Sequence, residues 1–213
     1  MNESDYSKLN LYPHNIRSYE KIKEAFKSGE KIVGIVHATG TGKTYNALQL
    51  ALDNKDKKTL FLVPSTSIKE HIIQQIQDNP NIDYEKDFKK LEFITYQSLA
   101  KMNDDELTKL DYDYLVIDEF HHIGAPVWGP KVNKLIKTHQ DKYVLGMTAY
   151  TVRDRGTEYE RDMADPETEE LFSNKIVSTY DLVDAMIDGI LPKPIYRSAY
   201  INLTGFVNDV EKN

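Results

Sequence analysis

Short apolar runs rich in β-branched residues recur at Ile32 to Val36, Thr59 to Val63, Leu91 to Thr95, Tyr114 to Ile117 and Tyr143 to Met147. Runs of this kind read as buried parallel strands. Between them the apolar residues fall at helical spacing: Ile16, Tyr19, Ile22 and Phe26; Leu48, Ala51 and Leu52; Ile68, Ile72 and Ile76; Val132, Leu135 and Ile136. Strands alternating with helices predict an α/β fold, a doubly wound parallel sheet flanked by helices on both faces in three layers.

The punctuation agrees with the periodicity. Ser65 stands where a cap for the Ile68 helix belongs, and Asn79-Pro80 marks that helix's end, because the residue before proline avoids helical geometry. From Thr151 to Thr168 the chain turns charged and irregular, which predicts a loop or insertion. A last helical stretch, Tyr180 to Ile187, stops at Gly189. Leu191-Pro192-Lys193-Pro194 then reads as a stiff connector into a strand at Ile195 to Ile201, followed by a polar tail, Asn208 to Asn213. The expected organisation is a polar N-terminal tail over 1–10, one domain over 11–190, and a connector over 191–213 toward a further domain.

Composition narrows the chemistry more than the fold. A chain of 213 residues can bury a sizeable core, and with 40% hydrophobic and 29% charged residues it has an ordinary soluble balance. No apolar run approaches the roughly eighteen residues of a membrane span, and Met1 to Asn10 lacks the basic start and apolar middle of a secretory signal. A cytoplasmic location without membrane attachment is the expectation. The absence of cysteine excludes disulfides, thiolate zinc sites and cysteine nucleophiles. A net charge of −7 argues against an indiscriminately basic nucleic-acid coat, though a local basic strip is compatible with it.

The sharpest local signal is His37-Ala38-Thr39-Gly40-Thr41-Gly42-Lys43-Thr44, which follows an apolar strand and opens a helix. That is the context of a phosphate-binding loop. Gly40 and Gly42 let the backbone wrap a phosphate, while successive N–H groups and the helix N-terminus supply positive potential. Lys43 is placed to reach the β and γ phosphates, and the Thr44 hydroxyl to ligate Mg²⁺. The strict GxxxxGK[ST] pattern is broken at His37, and a dinucleotide fingerprint is excluded because Tyr45 stands where a small residue would be needed.

The run Tyr114-Leu115-Val116-Ile117-Asp118-Glu119 ends in adjacent carboxylates, and parallel sheets present such strand ends to the ligand crevice. Asp118 suits a magnesium ion, and Glu119 suits orientation and deprotonation of the attacking water. His121 and His122 lack the HExxH pattern and any cysteine partners, which disfavours a zinc site. His121 is better read as a hydrogen-bonding sensor, with Thr148 at the end of a neighbouring strand as its partner. His122 reads as a surface residue. A nucleotide site using ATP and Mg²⁺ is expected.

Together these stretches resemble the superfamily 2 helicases and translocases, in the DEAD/DEAH-like branch that includes restriction-enzyme motor subunits. Ala38 to Thr44 resembles motif I, Leu60 to Ser67 motif Ia, Asp118 to His121 motif II with Phe120 where alanine is frequent, and Gly146-Met147-Thr148-Ala149-Tyr150 motif III. Phe93 to Leu99 contains the Thr-Tyr-Gln-Ser-Leu stretch common in that branch. Leu11-Tyr12-Pro13-His14-Asn15 resembles the family's Pro-aromatic-Gln element, with Asn15 in place of the adenine-reading glutamine, and Tyr150 replaces the second threonine of motif III.

The resemblance implies a first RecA-like motor domain that couples Mg·ATP hydrolysis to translocation on nucleic acid, or to its unwinding, with Thr148, Ala149 and Tyr150 in the coupling role. It assigns strand contacts to Pro64, Ser65, Thr66, Thr95, Tyr96 and Gln97, with DNA favoured over RNA. Arg161 to Ala164 and Tyr180 to Pro194 resemble the segment leading to a second RecA-like domain, which supplies arginine fingers in the family. The competing reading is a nucleotide-dependent protein-remodelling or scaffolding module. A GTPase is disfavoured by the absence of NKxD, a small-molecule kinase by the adjacent Asp118/Glu119, and a nuclease by the absence of an ExK element.

Overall fold

The computed structural model describes residues 5–121, 127–149, 171–172, 174–193 and 195. Its strands are β1 (Ile32–His37), β2 (Thr59–Val63), β3 (Leu91–Thr95), β4 (Tyr114–Asp118), β5 (Tyr143–Thr148) and β6 (Ile176–Tyr180). They form one six-stranded sheet in the order β3-β2-β4-β5-β1-β6, and every neighbouring pair is parallel. The longer helices are α1 (Pro13–Lys27), α2 (Lys43–Asp53), α3 (Thr66–Gln77) and α7 (Gly129–Thr138). Shorter ones are α4 (Tyr84–Asp87), α5 (Tyr96–Lys101), α6 (Asp104–Thr108) and α8 (Leu182–Ile187).

Period-two alternation along the strands divides the core between the two faces of the sheet. Phe61, Val63, Val116, Leu145 and Met147 pack with Tyr19, Ile22, Phe26, Leu48 and Ile72 of α1, α2 and α3. Leu60, Leu62, Leu115, Ile117 and Val144 pack with Leu99, Leu107, Val132 and Leu135 of α5, α6 and α7. The three-layer α/β architecture is as expected. Strand β6 is the exception that the apolar pattern does not disclose: Ser178 and Thr179 interrupt it, and at the sheet edge only Ser178 and Tyr180 are buried. Tyr180, expected to begin a helix, therefore ends a strand. Helix α8 starts two residues later, behind Asp181, whose Oδ1 accepts from the Asp184 N–H at 2.8 Å.

Within residues 5–10 of the expected polar tail, Tyr6 and Leu9 pack on the domain, whereas Asp5, Ser7 and Asn10 are exposed. Leu9 lies in the core at 3% exposure, and Lys8 pairs with the buried carboxylate of Asp87 at 2.8 Å. The irregular stretch 151–168, Arg161 to Ala164, the strand expected at Ile195 to Ile201 (apart from Ile195), and the tail 208–213 lie outside the described residues.

One pair of glycines has a packing reason. Gly34 and Gly146 are partners across β1 and β5. A Cβ on Gly146 would stand 2.4 Å from the Phe172 ring and 2.9 Å from Phe120. Phe120 and Phe172 stack at 4.2 Å between centroids, so Phe120 fills space above the sheet that alanine would leave open. Gly146→Ala is expected to destabilise the domain by about 1–3 kcal/mol through overpacking, read as a lower midpoint in urea with unchanged slope.

Candidate functional site

Parallel strands bring the sequence motifs to one edge of the sheet. Val36 pairs with Thr148 and Asp118 with Met147, so β5 stands between the strand that feeds the phosphate loop and the strand that ends in the acidic pair. Gly40 and Gly42 both have φ of +82°, a conformation that side-chain-bearing residues rarely adopt. Helix α2 begins at Lys43 directly after the loop, leaving its first N–H groups without partners inside the helix. Thr39 and Gly40 are exposed, whereas Ala38 and Thr41 are buried.

The loop is braced from inside. Thr41 Oγ1 donates to the Ala38 carbonyl at 2.7 Å, and Lys43 Nζ donates to the His37 carbonyl at 3.0 Å. Asn15 Nδ2 donates to the carbonyls of Thr41 and Gly42 at 3.2 and 3.3 Å. Asn15 is 1% exposed and its amide nitrogen is engaged by the loop, which makes it a clamp on the phosphate loop. Burial lowers the Lys43 pKa, while the negative charges of Glu119 and Asp118 act in the opposite direction.

Glu119 has φ of +53°, a strained left-handed backbone at the point where β4 gives way to the loop. Its Oε2 lies 3.2 Å from His121 Nδ1 and accepts from Thr148 Oγ1 at 3.4 Å. His121 Nδ1 is also 2.7 Å from Thr148 Oγ1, so the carboxylate, imidazole and hydroxyl form a closed triangle. The Glu119 pKa is depressed: burial pushes it up, but the His121 hydrogen bond, Lys43 and the Ala149 backbone amide outweigh burial. Asp118 behaves oppositely, pushed up to about 6 by burial and by the neighbouring Glu119 charge. Two adjacent carboxylates thus differ in readiness to ionise because one is hydrogen-bonded and the other is buried. Thr44, in the first turn of α2, is partly exposed.

The expected strand-contact residues separate into two groups. Pro64, Ser65 and Thr66 follow β2, and Thr95, Tyr96 and Gln97 follow β3, its neighbour, so they share one rim of the sheet. Ser65, Thr66 and Gln97 are exposed. Ser65 Oγ caps α3 by accepting from the Ile68 N–H at 3.3 Å, and Thr95 Oγ1 caps α5 by accepting from the Ser98 N–H at 3.0 Å. Tyr96 departs from its expected role: it is 2% exposed, and its hydroxyl donates to the Asp118 carbonyl at 2.8 Å. It supports the acidic pair from below. Tyr150 and His122 lie outside the described residues.

His37 is fully buried, with Nε2 3.0 Å from Ser178 Oγ and Nδ1 without a partner. Burial, followed by repulsion from His14 and Lys43, pushes its pKa down from 6.5 to about 3. An unfolded chain binds this proton below pH 6.5 and the folded chain does not, so the stability contributed by neutral His37 falls as pH drops from 6.5 toward 3. Asp118, raised in the fold, works in the opposite sense between its folded pKa of about 6 and its ordinary 3.8. From pH 7 to pH 5 the wild type is expected to lose about 2 kcal/mol more than His37→Gln, measured by denaturant unfolding at each pH.

The stretch Leu11 to Asn15 stands out in the sequence, but nothing in it singles out His14, whose Nε2 lies 2.7 Å from the Thr41 carbonyl. Tyr180, which stacks on His14, is marked in the sequence only as the start of a helical stretch. A cavity of about 230 Å³ beside the loop is lined by Leu9, Leu11, Tyr12, Asn15, Tyr45 and Asn79. Tyr12 falls within the Leu11 to Asn15 element, but neither it nor Tyr45 is marked in the sequence as a cavity-lining residue. Among the described residues no cluster of His, Asp and Glu forms a preassembled metal cage, and no helix is long and apolar enough to cross a membrane.

A glycine loop with this backbone, joined to a helix N-terminus beside a strand-end Asp-Glu pair, defines the P-loop NTPase class in its RecA-like form. The chain belongs to the ResIII family (Type III restriction enzyme, res subunit), whose model matches residues 8–153. This bears out its resemblance to the first RecA-like domain of superfamily 2 helicases.

The L396 protein of Acanthamoeba polyphaga mimivirus, provisionally described as an ATP-dependent RNA helicase, is 32% identical over 156 residues, covering 68% of this chain and 28% of its own. The EcoKI type I restriction enzyme endonuclease subunit of Escherichia coli K12 is 28% identical over 137 residues, covering 54% of this chain and 12% of its own. The chain therefore spans under a third of either relative. The helicase domain of Pyrococcus furiosus Hef shares the fold with a TM-score of 0.59 at 20% identity, over 83% of this chain and 39% of that one.

Proposed function

We propose that this chain is the nucleotide-gripping half of a nucleic-acid-stimulated ATPase motor. The observation that carries this reading is the convergence of Lys43, Asp118 and Glu119 at one sheet edge, with Glu119 fixed by His121 and Thr148. The donor set fits a magnesium-bound triphosphate: loop amides, a helix N-terminus and one buried cation for the phosphates, with Thr44 and Asp118 as the oxygen ligands for Mg²⁺. The ion, when bound, neutralises charge that develops on the phosphate oxygens.

The chain's own residues supply the rest. Lys43 donates to the terminal phosphates. Glu119, kept ionised by its hydrogen bonds, orients the attacking water and takes its proton as the β–γ bond breaks. His121 and Thr148 hold that carboxylate and report its state to β5, the strand that leads into Ala149 and Tyr150. The adjoining cavity, lined by Tyr12 and Tyr45, is the place for an adenine, while Asn15 holds the loop beside it. Ser65, Thr66 and Gln97 form the exposed rim for a phosphate backbone, a contact that carries no base readout.

A second RecA-like domain would complete the site with an arginine finger, worth about a thousandfold or more in rate, so this chain alone is expected to turn ATP over poorly. The test is ATP hydrolysis by the protein that includes both motor domains, with single-stranded DNA, single-stranded RNA, duplex, or none. Stimulation by any of these supports the motor reading, and the polymer that acts best identifies the track. Equal rates with and without every polymer would favour a protein-remodelling module instead.

A further inference from the structure

Three elements far apart in sequence meet beneath the phosphate loop. Tyr180, the last residue of β6, lies opposite His37 in register, and its carbonyl accepts from the Ala38 N–H at 2.8 Å. Its ring stacks on His14 of α1 with centroids 4.2 Å apart and planes 7° from parallel. His14 is 4% exposed and its Nε2 is 2.7 Å from the Thr41 carbonyl; a carbonyl only accepts, so this nitrogen carries the proton. The Tyr180 hydroxyl donates to Asp188 Oδ2 at 2.8 Å, just beyond α8. Leu191 reaches the loop as well, 3.2 Å from where a Cβ on Gly40 would stand.

Tyr180 thus touches the loop twice, at Ala38 through its own backbone and at Thr41 through the imidazole of His14. We propose that Tyr180 is a positioning residue for the phosphate loop: its ring holds His14, and His14 holds the carbonyl of Thr41. The proposal rests on the nucleotide reading of the site. A loop with two glycines at positive φ has wide conformational freedom, and freedom that must be removed on binding weakens affinity. Asn15 restrains the same carbonyl from α1 alone. The His14 restraint differs in being keyed to β6 and, through Asp188, to α8, so displacement of that edge of the domain loosens the grip on phosphate.

The experiment is a calorimetric titration of this chain with Mg·ADP, paired with amide hydrogen exchange in the absence of nucleotide. Tyr180→Leu is expected to weaken binding about fivefold, the scale of one aromatic stack, and Tyr180→Phe to stay within about twofold. His14→Leu should match Tyr180→Leu, and the double variant should be no weaker than either, since both remove one path. Exchange at Thr41 and Gly42 should rise in Tyr180→Leu and not in Tyr180→Phe, while the β2 amides stay protected in both, which separates loosening of the loop from general destabilisation. Unchanged affinity and loop exchange in Tyr180→Leu overturn the proposal, and additive losses in the double variant overturn the route through His14. If the wild type binds no nucleotide, the nucleotide reading fails, and loop exchange alone then decides whether Tyr180 braces the loop.

Discussion

Glu119→Gln, in a protein that includes both motor domains, is expected to lower ATP turnover by about 10²–10⁴-fold, the usual worth of a positioned general base, with nucleotide affinity nearly unchanged. The geometry explains why the two effects part. Glutamine keeps an oxygen that can accept from Thr148 and His121, so the triangle with Oε2 distances of 3.4 and 3.2 Å survives in outline. The left-handed backbone at this position is set by its neighbours, among them the Phe120 and Phe172 stack and the Tyr96 bond to the Asp118 carbonyl. What glutamine lacks is the negative charge and the ability to take a proton. Loss of interactions made only in the transition state lowers kcat without raising KM. Single-turnover hydrolysis beside a binding titration measures both halves of the expectation, and full hydrolysis by the variant would remove Glu119 from the chemistry.

Lys43→Ala acts on binding first. The ammonium is the buried cation beside two carboxylates, and it is the only side chain of the loop that can put a positive charge on the terminal phosphates. Charge-assisted hydrogen bonds contribute about 1.5–3 kcal/mol, so nucleotide affinity should fall by about ten- to a hundredfold or more. A second consequence follows from the same charge. Lys43 pulls the Asp118 pKa down against burial and Glu119, so the variant's Asp118 should titrate above its present value of about 6. Carbon-13 NMR of the carboxylate, followed with pH, checks the direction. A downward movement would show that Lys43 does not face the acidic pair in solution.

The parts of the site legible in the sequence are the contiguous ones. The loop from Ala38 to Thr44 and the pair Asp118/Glu119 each carry their chemistry in adjacent residues, and a buried apolar strand announces each of them. Even the His121 partner, Thr148, could be named, because both follow strands whose ends a parallel sheet sets side by side. Strand β6 escaped because an edge strand buries only part of its length and needs no continuous apolar run. The stack of Tyr180 on His14 escaped because it joins the two ends of the domain and leaves no local spacing to read. Tyr96 sits in a family motif, yet nothing in that motif says whether its ring faces solvent or core. Asn15 was legible as a departure from the family, but its engagement with the Thr41 and Gly42 carbonyls needed coordinates.

Residues 38–44 and the Asp118/Glu119 pair are expected to bind one magnesium nucleotide, and every role proposed for the site rests on that binding. Calorimetric titration of this chain with ADP, in the presence of magnesium and again with the metal chelated, tests it most directly. Saturable binding of one nucleotide per chain, weakened by chelation and by Lys43→Ala, is the expected result. Heat of dilution alone at millimolar nucleotide, or binding that is indifferent to both magnesium and Lys43, would contradict it.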